Sequence, residues 1–313
     1  VEVSEISLGC WTLGGLNWVD GTPNGWADVD EAEIARAVDY ALDLGVNHFD
    51  NADVYGNGRA ERMLARVLGA RSKRVLIATK VGHFPGTAEH AYVGAHIRHQ
   101  CEQSLINLRR EAIDLYYFHH GDFGPNDGYL DEAVATVNDL KREGKIRLIG
   151  QSAYSAGDFL RVVPKVQPDV LQSWAHLLDT QHIEPGTPVR RLLDERRLSF
   201  VTFSPLAQGI LLDKYKPGKK IEFEKGDHRR GSPRFQEQAL HEVEPKLARL
   251  KARFGETPQA LARVALQYLL SYPCVACVIP GFRNRAQVEA NLASADRPLS
   301  PEDVAFVREA MKS

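Results

Sequence analysis

The sequence predicts an α/β protein of the closed-barrel class: a (β/α)8 TIM barrel with a long loop after strand 7 and extra helices near the C-terminus. Three observations predict it. Eight short β-rich runs alternate with helical patterns almost from end to end, as parallel strands joined by crossover helices require. The chain has 313 residues, a length that suits such a barrel with insertions. No GxGxxG follows the first strand candidate, which weakens the doubly wound dinucleotide-binding alternative.

Taken in order, the strands are "EISLG" (5–9), "VNHFD" (46–50), "RVLIATK" (74–80), "IDLYYFH" (113–119), "KIRLIGQS" (145–152), "DVLQSW" (169–174), "LSFVTFS" (198–204) and "VACVIPG" (275–281). Between them apolar residues recur three and four apart, as in Ile34, Val38, Ala41 and Leu42, or Leu261, Val264, Ala265, Tyr268 and Leu269, which is helical spacing. Asp28 or Asp30 suits the N-cap of the first helix and Thr257 that of the later one, with Pro258 at its first position. Residues 205–235, rich in Gly, Pro and charge, form the longest irregular piece, expected to be a functional lid or a disordered insertion. No domain boundary or repeat beyond the βα period is visible, so residues 1–313 read as a single barrel domain.

Composition narrows the partners. A formal charge of −2 argues against a generally basic surface and a nucleic-acid partner. No apolar run approaches the roughly 20 residues that span a bilayer, and no basic segment precedes an apolar one at the N-terminus. A cytoplasmic protein with no membrane partner is expected. Cys10, Cys101, Cys274 and Cys277 are too scattered for a disulfide framework. "CVAC" lacks the second pair a zinc site needs and reads as structural. Oligomeric state is not legible.

In a barrel, alternate strand residues point inward and the chemistry gathers at the C-terminal strand ends. Parity puts His48 and Asp50 on one face of the second strand, Lys80 on that of the third, and Tyr117 and His119 on that of the fourth. Three successive strands thus end in Asp50, Lys80 and His119, and the next loop residue of interest, Tyr55, lies five positions beyond Asp50. A phenol gives up its proton more readily when a cation stabilises the phenolate, which Lys80 can supply, with Asp50 as its counter-charge. His119 can orient a carbonyl oxygen by hydrogen bonding. The set suits protonation of a carbonyl oxygen as hydride reaches carbon. His48 and Tyr117 read as core polar residues. A metal reading of His119, His120 and Asp122 is disfavoured, because adjacent strand residues face opposite ways.

At this point the chain resembles the aldo-keto reductases. "SLGCWTLGG", "FDNADVYGNGRAE", "IATKVG", "DLYYFHH", "EGKIRLIGQS", "FSPLAQGILLDKY" and "IPGFRNRAQVEAN" occur in the family's order and spacing. The resemblance implies a barrel that binds NADPH, with NADH less favoured, and a catalytic set at Asp50, Tyr55, Lys80 and His119. It further implies carboxamide contacts from Ser152 and Gln172, with Ala153 standing where Asn is usual, and a nicotinamide-stacking ring at Phe203. Ser204, Pro205, Leu206, Gly209 and Leu211 match the pyrophosphate loop. Gly281 and Arg283 open the last motif, Arg283 as partner of the 2′-phosphate, while Gln287 and Asn291 match the adenine contacts and Ala290 replaces a common Glu. Trp174 stands where Glu is common, beside the nicotinamide. Members normally carry an N-terminal hairpin below the barrel, whose first strand is expected to lie outside this sequence.

The expected activity is reversible NADPH-dependent reduction of an aldehyde or ketone, and the expected partner a small-molecule carbonyl substrate. The alternative is an NADPH-binding regulatory or sensor subunit with little turnover. Trp11, Trp18, Trp26, Phe84, Phe123 and Tyr129 lie in segments able to wall the mouth, and His83, His120 and Asp122 add polar groups. Of these, Trp11, Phe84 and His120, with Trp174, are the expected substrate pocket, for a sugar-like or polycyclic keto substrate.

Overall fold

The computed structural model describes every residue except Asp20, Gly21, Asp28, Ser294 and Ser313, and for residues 18, 19 and 22–24 the backbone alone. Eight parallel strands form the barrel: β1 (Leu8–Gly9), β4 (His48–Asp50), β5 (Leu76–Val81), β6 (Ile113–Phe118), β7 (Ile146–Ser152), β8 (Val170–Trp174), β9 (Ser199–Phe203) and β10 (Val275–Ile279). They pair in chain order. Parallel bridges Ile6–Val278 and Gly9–Gly281 join the first strand to the last. All eight expected strands are present, each within or close to its apolar run.

A two-stranded antiparallel hairpin, β2 (Leu16–Val19) and β3 (Thr22–Gly25), was not expected. Its pairing of Val19 with Thr22 leaves a two-residue connection, Asp20-Gly21. That dipeptide is a strong hairpin signal, but "TPNG" has neither the alternation nor the β-branched content of a strand.

Helices between the strands are fixed by their ends and their apolar faces. Asp30 caps the helix Glu31–Asp43, its carboxylate accepting from the N–H groups of Ala32 (2.8 Å) and Glu33 (3.1 Å); the alternative cap Asp28 lies outside the described residues. Thr257 caps Pro258–Leu270 through the N–H of Ala260 at 3.1 Å. Such caps contribute about 1 kcal/mol each. Ile34, Val38 and Ala41 bury the inner face of the first helix, and Leu261, Val264 and Ala265 that of the second. They join one extensive apolar cluster between the barrel and its helices. Among the described residues no helix is long and apolar enough to cross a membrane.

The barrel interior holds a smaller cluster of Ala78, Tyr117, Val170, Val201, Cys277 and Ile279. Register aligns Lys80 with Tyr117 and Tyr117 with Gly150. A Cβ on Gly150 would overlap the Tyr117 ring, so the absent side chain on one strand makes room for the ring on the next. Tyr117 thus fills the barrel beneath the strand-end layer.

Residues 205–235 are neither an open lid nor featureless. Tyr215, Phe223 and Phe235 pack on one another with centroids 4.9–5.9 Å apart. The Arg229 guanidinium lies 4.5 Å from the Phe223 ring centre and 4.9 Å from that of Trp26, while both Asp227 oxygens accept from it. The segment is bonded to the hairpin, His228 N–H donating to the Gly25 carbonyl at 2.9 Å. Gly25, at φ 147°, has no space for a Cβ against the Gly15 carbonyl. The result is an ordered strap joined to the hairpin.

Candidate active site

The strand ends bring Asp50, Lys80 and His119 together. β4 terminates at Asp50, and its pairing with β5 sets Lys80 just beyond the carboxylate's level. Lys80 Nζ donates to Asp50 Oδ1 at 2.5 Å and to the Asn51 carbonyl at 2.6 Å, while Gln172 Nε2 donates to Asp50 Oδ2 at 2.8 Å. Lys80, Asp50 and Gln172 are all buried. A buried ion pair is tolerable only when its remaining hydrogen-bonding capacity is met, and here both carboxylate oxygens have donors.

Tyr55 comes over this pair on a tied-down loop. Asn51 and Asp53 N–H groups donate to the Ala78 and Lys80 carbonyls of β5, and Gly58 N–H returns to the Asp53 carbonyl at 2.7 Å. Lys80 Nζ lies 5.2 Å from the Tyr55 ring centre. The ring stacks on Trp11 at 6.0 Å and meets His119 edge-on at 5.9 Å. All four expected catalytic side chains therefore meet in one place.

Their electrostatics differ from expectation in one respect. Burial, then the Asp50 charge, raise the Tyr55 pKa well above its usual value; the phenol holds its proton more firmly in this environment, although Lys80 lies against its ring. Burial, aided by His83 and Lys80, pushes His119 well below the ordinary imidazole range. His119 is therefore a neutral ring able to offer one N–H without bringing a charge.

Around the mouth, Trp11 lies edge-on to Trp26 (5.6 Å) and His228 (4.4 Å). On the other side Tyr154 stacks on Trp174 at 6.2 Å and meets Phe203 edge-on at 6.3 Å. The Trp174 indole N–H is held by Asp179 Oδ2 at 2.8 Å. His83 lies 4.3 Å from His119 and 4.7 Å from His120, ring centre to ring centre, with its Nε2 3.2 Å from the Tyr154 hydroxyl.

Several expected wall residues lie elsewhere. Phe123 is fully buried against Tyr92 and Phe118, and Tyr129 stacks on His90: both are loop packing. Phe84 is 38% exposed, and among the described residues no ring contact joins it to the mouth. The Trp18 side chain lies outside the described residues. His120 spends both nitrogens locally, Nε2 on the Gly82 carbonyl (2.8 Å) and Nδ1 on the Asp122 N–H (3.1 Å). It therefore buttresses the wall. Among the described residues no three His, Cys, Asp or Glu side chains are placed to hold a metal ion.

The residues that the resemblance assigns to the cofactor extend along the chain from Ser152 to Asn291. Ser152 Oγ, Gln208 Oε1 and Asn291 Nδ2 are buried without partners, an arrangement that a polar ligand would satisfy. Ala207, Gln208 and Gly209 all have positive φ (47°, 55° and 94°), as does Ser204 (55°). The Ala207 and Gly209 N–H groups donate to the Ser204 and Leu206 carbonyls at 2.9 Å each, which fixes the turn. Lys214 runs beside Gly209, and burial, Arg283 and Arg229 together lower its pKa. Leu206 and Leu211 are buried in the apolar cluster, Pro205 is also buried, and Gly281 bridges to Gly9. Gln287 accepts from the Arg283 N–H at 2.8 Å, and the Arg283 guanidinium lies 5.9 Å from the Trp26 ring centre. These residues fit a nicotinamide dinucleotide: polar atoms without partners at Ser152, Gln208 and Asn291, and the cations Lys214 and Arg283 beside them.

Sequence reasoning missed Tyr154, Lys214, Arg229 and His228. Tyr154 lies two residues past the end of β7, where inward parity continues, so the same counting could have found it. Lys214, Arg229 and His228 sit in irregular chain, where no periodicity assigns a direction.

Comparison with known proteins agrees with this geometry. Residues 5–312 match the profile of the Aldo/keto reductase family. An uncharacterised oxidoreductase of Mycobacterium tuberculosis is 33% identical over 96% of this chain and 87% of its own length. Among solved structures, a glycerol dehydrogenase from Gluconobacter oxydans superposes with a TM-score of 0.80 at 25% identity, over 99% of this chain and 91% of that one. The holo form of an aldo-keto reductase from Bacillus halodurans does so with a TM-score of 0.74 at 27% identity, over 99% and 93%. The chain belongs to the aldo/keto reductase family of oxidoreductases.

Proposed function

We propose that the protein reduces an aldehyde or ketone to the corresponding alcohol with NADPH, acting on a sugar-like substrate. The observation that carries the proposal is the meeting of Tyr55 and the neutral His119 above the buried Lys80–Asp50 pair. When bound, the nicotinamide cofactor supplies hydride to the carbonyl carbon. Tyr55 supplies the balancing proton, from its hydroxyl to the carbonyl oxygen. Its raised pKa keeps that proton in place until negative charge develops on the oxygen. Lys80, fixed by Asp50, provides the positive charge under the ring that offsets the phenolate left behind, and Gln172 steadies Asp50. His119 donates its N–H to the same carbonyl oxygen and so directs it towards Tyr55.

Arg283 and Lys214 favour NADPH, since a guanidinium and an ammonium suit a phosphate monoester. The aromatic faces of Trp11, Tyr154 and Trp174 beside the polar His83 suit a hydroxylated substrate better than a polycyclic one. Four free, buried cysteines fit a reducing, cytoplasmic setting.

The test is NADPH oxidation with a panel of aliphatic, hydroxylated and polycyclic carbonyl compounds. Turnover should fall about 10²–10⁴-fold in Tyr55→Phe, with NADPH affinity unchanged. Undiminished turnover in that variant would remove Tyr55 from the proton step.

A further inference from the structure

We infer that Tyr117 is a positioning residue for the proton step: its ring, on the barrel side of Lys80, keeps the ammonium seated against Tyr55. This rests on the carbonyl-reductase reading and adds a residue to the machinery of that same site.

The argument begins with two adjacent tyrosines. In "DLYYFHH" the side chains alternate along β6. Tyr116 turns outward into the apolar cluster between barrel and helices, and Tyr117 inward into the smaller cluster inside the barrel. Both are fully buried. Register sets Tyr117 beside Lys80, with the ammonium 5.9 Å from the Tyr117 ring centre and 5.2 Å from that of Tyr55. Lys80 therefore lies within cation–π reach of two rings, one on the loop at the mouth and one in the interior.

What the second ring supplies follows from what else holds the ammonium. Its two acceptors, Asp50 Oδ1 and the Asn51 carbonyl, come from adjacent residues at the end of β4. On the β6 side the residue in register is Tyr117. A lysine stem is flexible, so bonds to one strand end let the ammonium swing away from Tyr55 unless the space beyond is filled. Tyr117 fills it. A carboxylate there would neutralise the charge that a Tyr55 phenolate needs, whereas the face of a ring attracts the cation and leaves its charge intact. Burial, then the Asp50 charge, keep the Tyr117 phenol protonated, so the ring stays a neutral partner.

The Tyr117 ring is itself held in place. It lies so close to Gly150 on β7 that a Cβ there would overlap it. Gly150 does not have a positive φ, so this position needs the missing side chain and not an unusual backbone.

The experiment follows NADPH oxidation with 4-nitrobenzaldehyde in a set of variants. Tyr117→Met fills the space without a π face. It should lower kcat about 2–30-fold, the span of a cation–π contact, while KM and NADPH affinity stay near wild type. The solvent deuterium isotope effect on kcat should rise, because the proton step is the one slowed. Tyr117→Phe keeps the ring and should keep kcat. Tyr116→Leu, on the outward face of the same strand, should lose stability and not turnover. Gly150→Ala crowds the Tyr117 ring from its seat; it should lower kcat in otherwise wild-type protein and have little further effect on Tyr117→Met. A reading without turnover is the NMR signal of the Lys80 ε-methylene group in isotope-labelled protein: loss of ring current in Tyr117→Met should move it, and Tyr117→Phe should leave it in place. Undiminished kcat in Tyr117→Met, or an equal fall in Tyr117→Phe or Tyr116→Leu, overturns this inference alone. No oxidation of NADPH by wild-type protein across a panel of carbonyl compounds overturns the carbonyl-reductase reading and this inference with it.

Discussion

At the strand ends, Asp50 has both carboxylate oxygens taken by Lys80 and Gln172; among the expected cofactor residues, Ser152 Oγ, Gln208 Oε1 and Asn291 Nδ2 are buried with nothing to bond. The two regions lie on one barrel and meet at β7 and β8; the Lys80–Asp50 ion pair is fully bonded, whereas His119 Nδ1 beside it and the polar atoms of the second region are not. The first meets the needs of its charges from the protein's own chain, and its geometry is set when the chain folds. The second holds buried polar atoms with no partner in the chain, which the proposed cofactor would complete. Charges that must act on a substrate gain from a fixed arrangement, whereas a site that must admit and release a large ligand can leave part of its hydrogen bonding to that ligand.

Breaking the first region should have the largest effect. Lys80→Met strands the Asp50 charge in the barrel and should cost about 3–5 kcal/mol of folding stability, read from guanidinium unfolding. Adding Asp50→Asn to that variant should recover part of the loss, because the uncompensated charge is gone. If the single variant unfolds with wild-type stability, the strand-end layer does not depend on its ion pair.

Changes among the expected cofactor residues should leave unfolding of the free protein nearly untouched and appear only with ligand. Arg283→Ala should weaken NADPH by about 1.5–3 kcal/mol, the range for hydrogen bonds to a charged group, while NADH binding stays as it was; fluorescence titration with both cofactors reads the difference. Equal losses for the two would assign Arg283 to something other than the 2′-phosphate. Arg229→Ala removes the guanidinium between Phe223 and Trp26, a contact worth about 0.5–2 kcal/mol. Protease cleavage between 213 and 236 should then become faster, and bound NADPH should slow it again. Protection lost by the variant and not restored would separate the strap from the expected cofactor residues. The smallest effect is expected from Ala290→Glu, which offers the adenine one further acceptor and should tighten NADPH by about 0.5–1.5 kcal/mol.

The same contrast explains what could be read from sequence. Strand ends obey a period of two, so Asp50, Lys80 and His119 could be assigned to one face by counting from His48, Leu76 and Leu115 on their own strands. Tyr55 required only that its loop be short. Residues such as Lys214 and Arg229 follow positive-φ turns and 3₁₀ segments, where direction depends on tertiary contacts. The hairpin escaped for a related reason: its second strand, "TPNG", is held by pairing with Leu16–Val19 and by the strap, and its own residues carry no strand preference. The pKa of Tyr55 was misjudged because spacing shows that Lys80 is near the ring without showing that Asp50 and burial prevail there. Phe123 and Tyr129 looked like mouth aromatics because loop membership says nothing of which way a ring turns.

Tyr117, seated over Gly150, has a consequence for traffic through the barrel. With Val170, Val201, Cys277 and Ile279 around it, it stoppers the cylinder below Lys80. On the proposed mechanism, the protons that Tyr55 gives up are then replenished from the same end through which substrate enters. Refilling Tyr55 and vacating the product would then share one doorway, with the proposed alcohol product standing between the spent phenolate and bulk water.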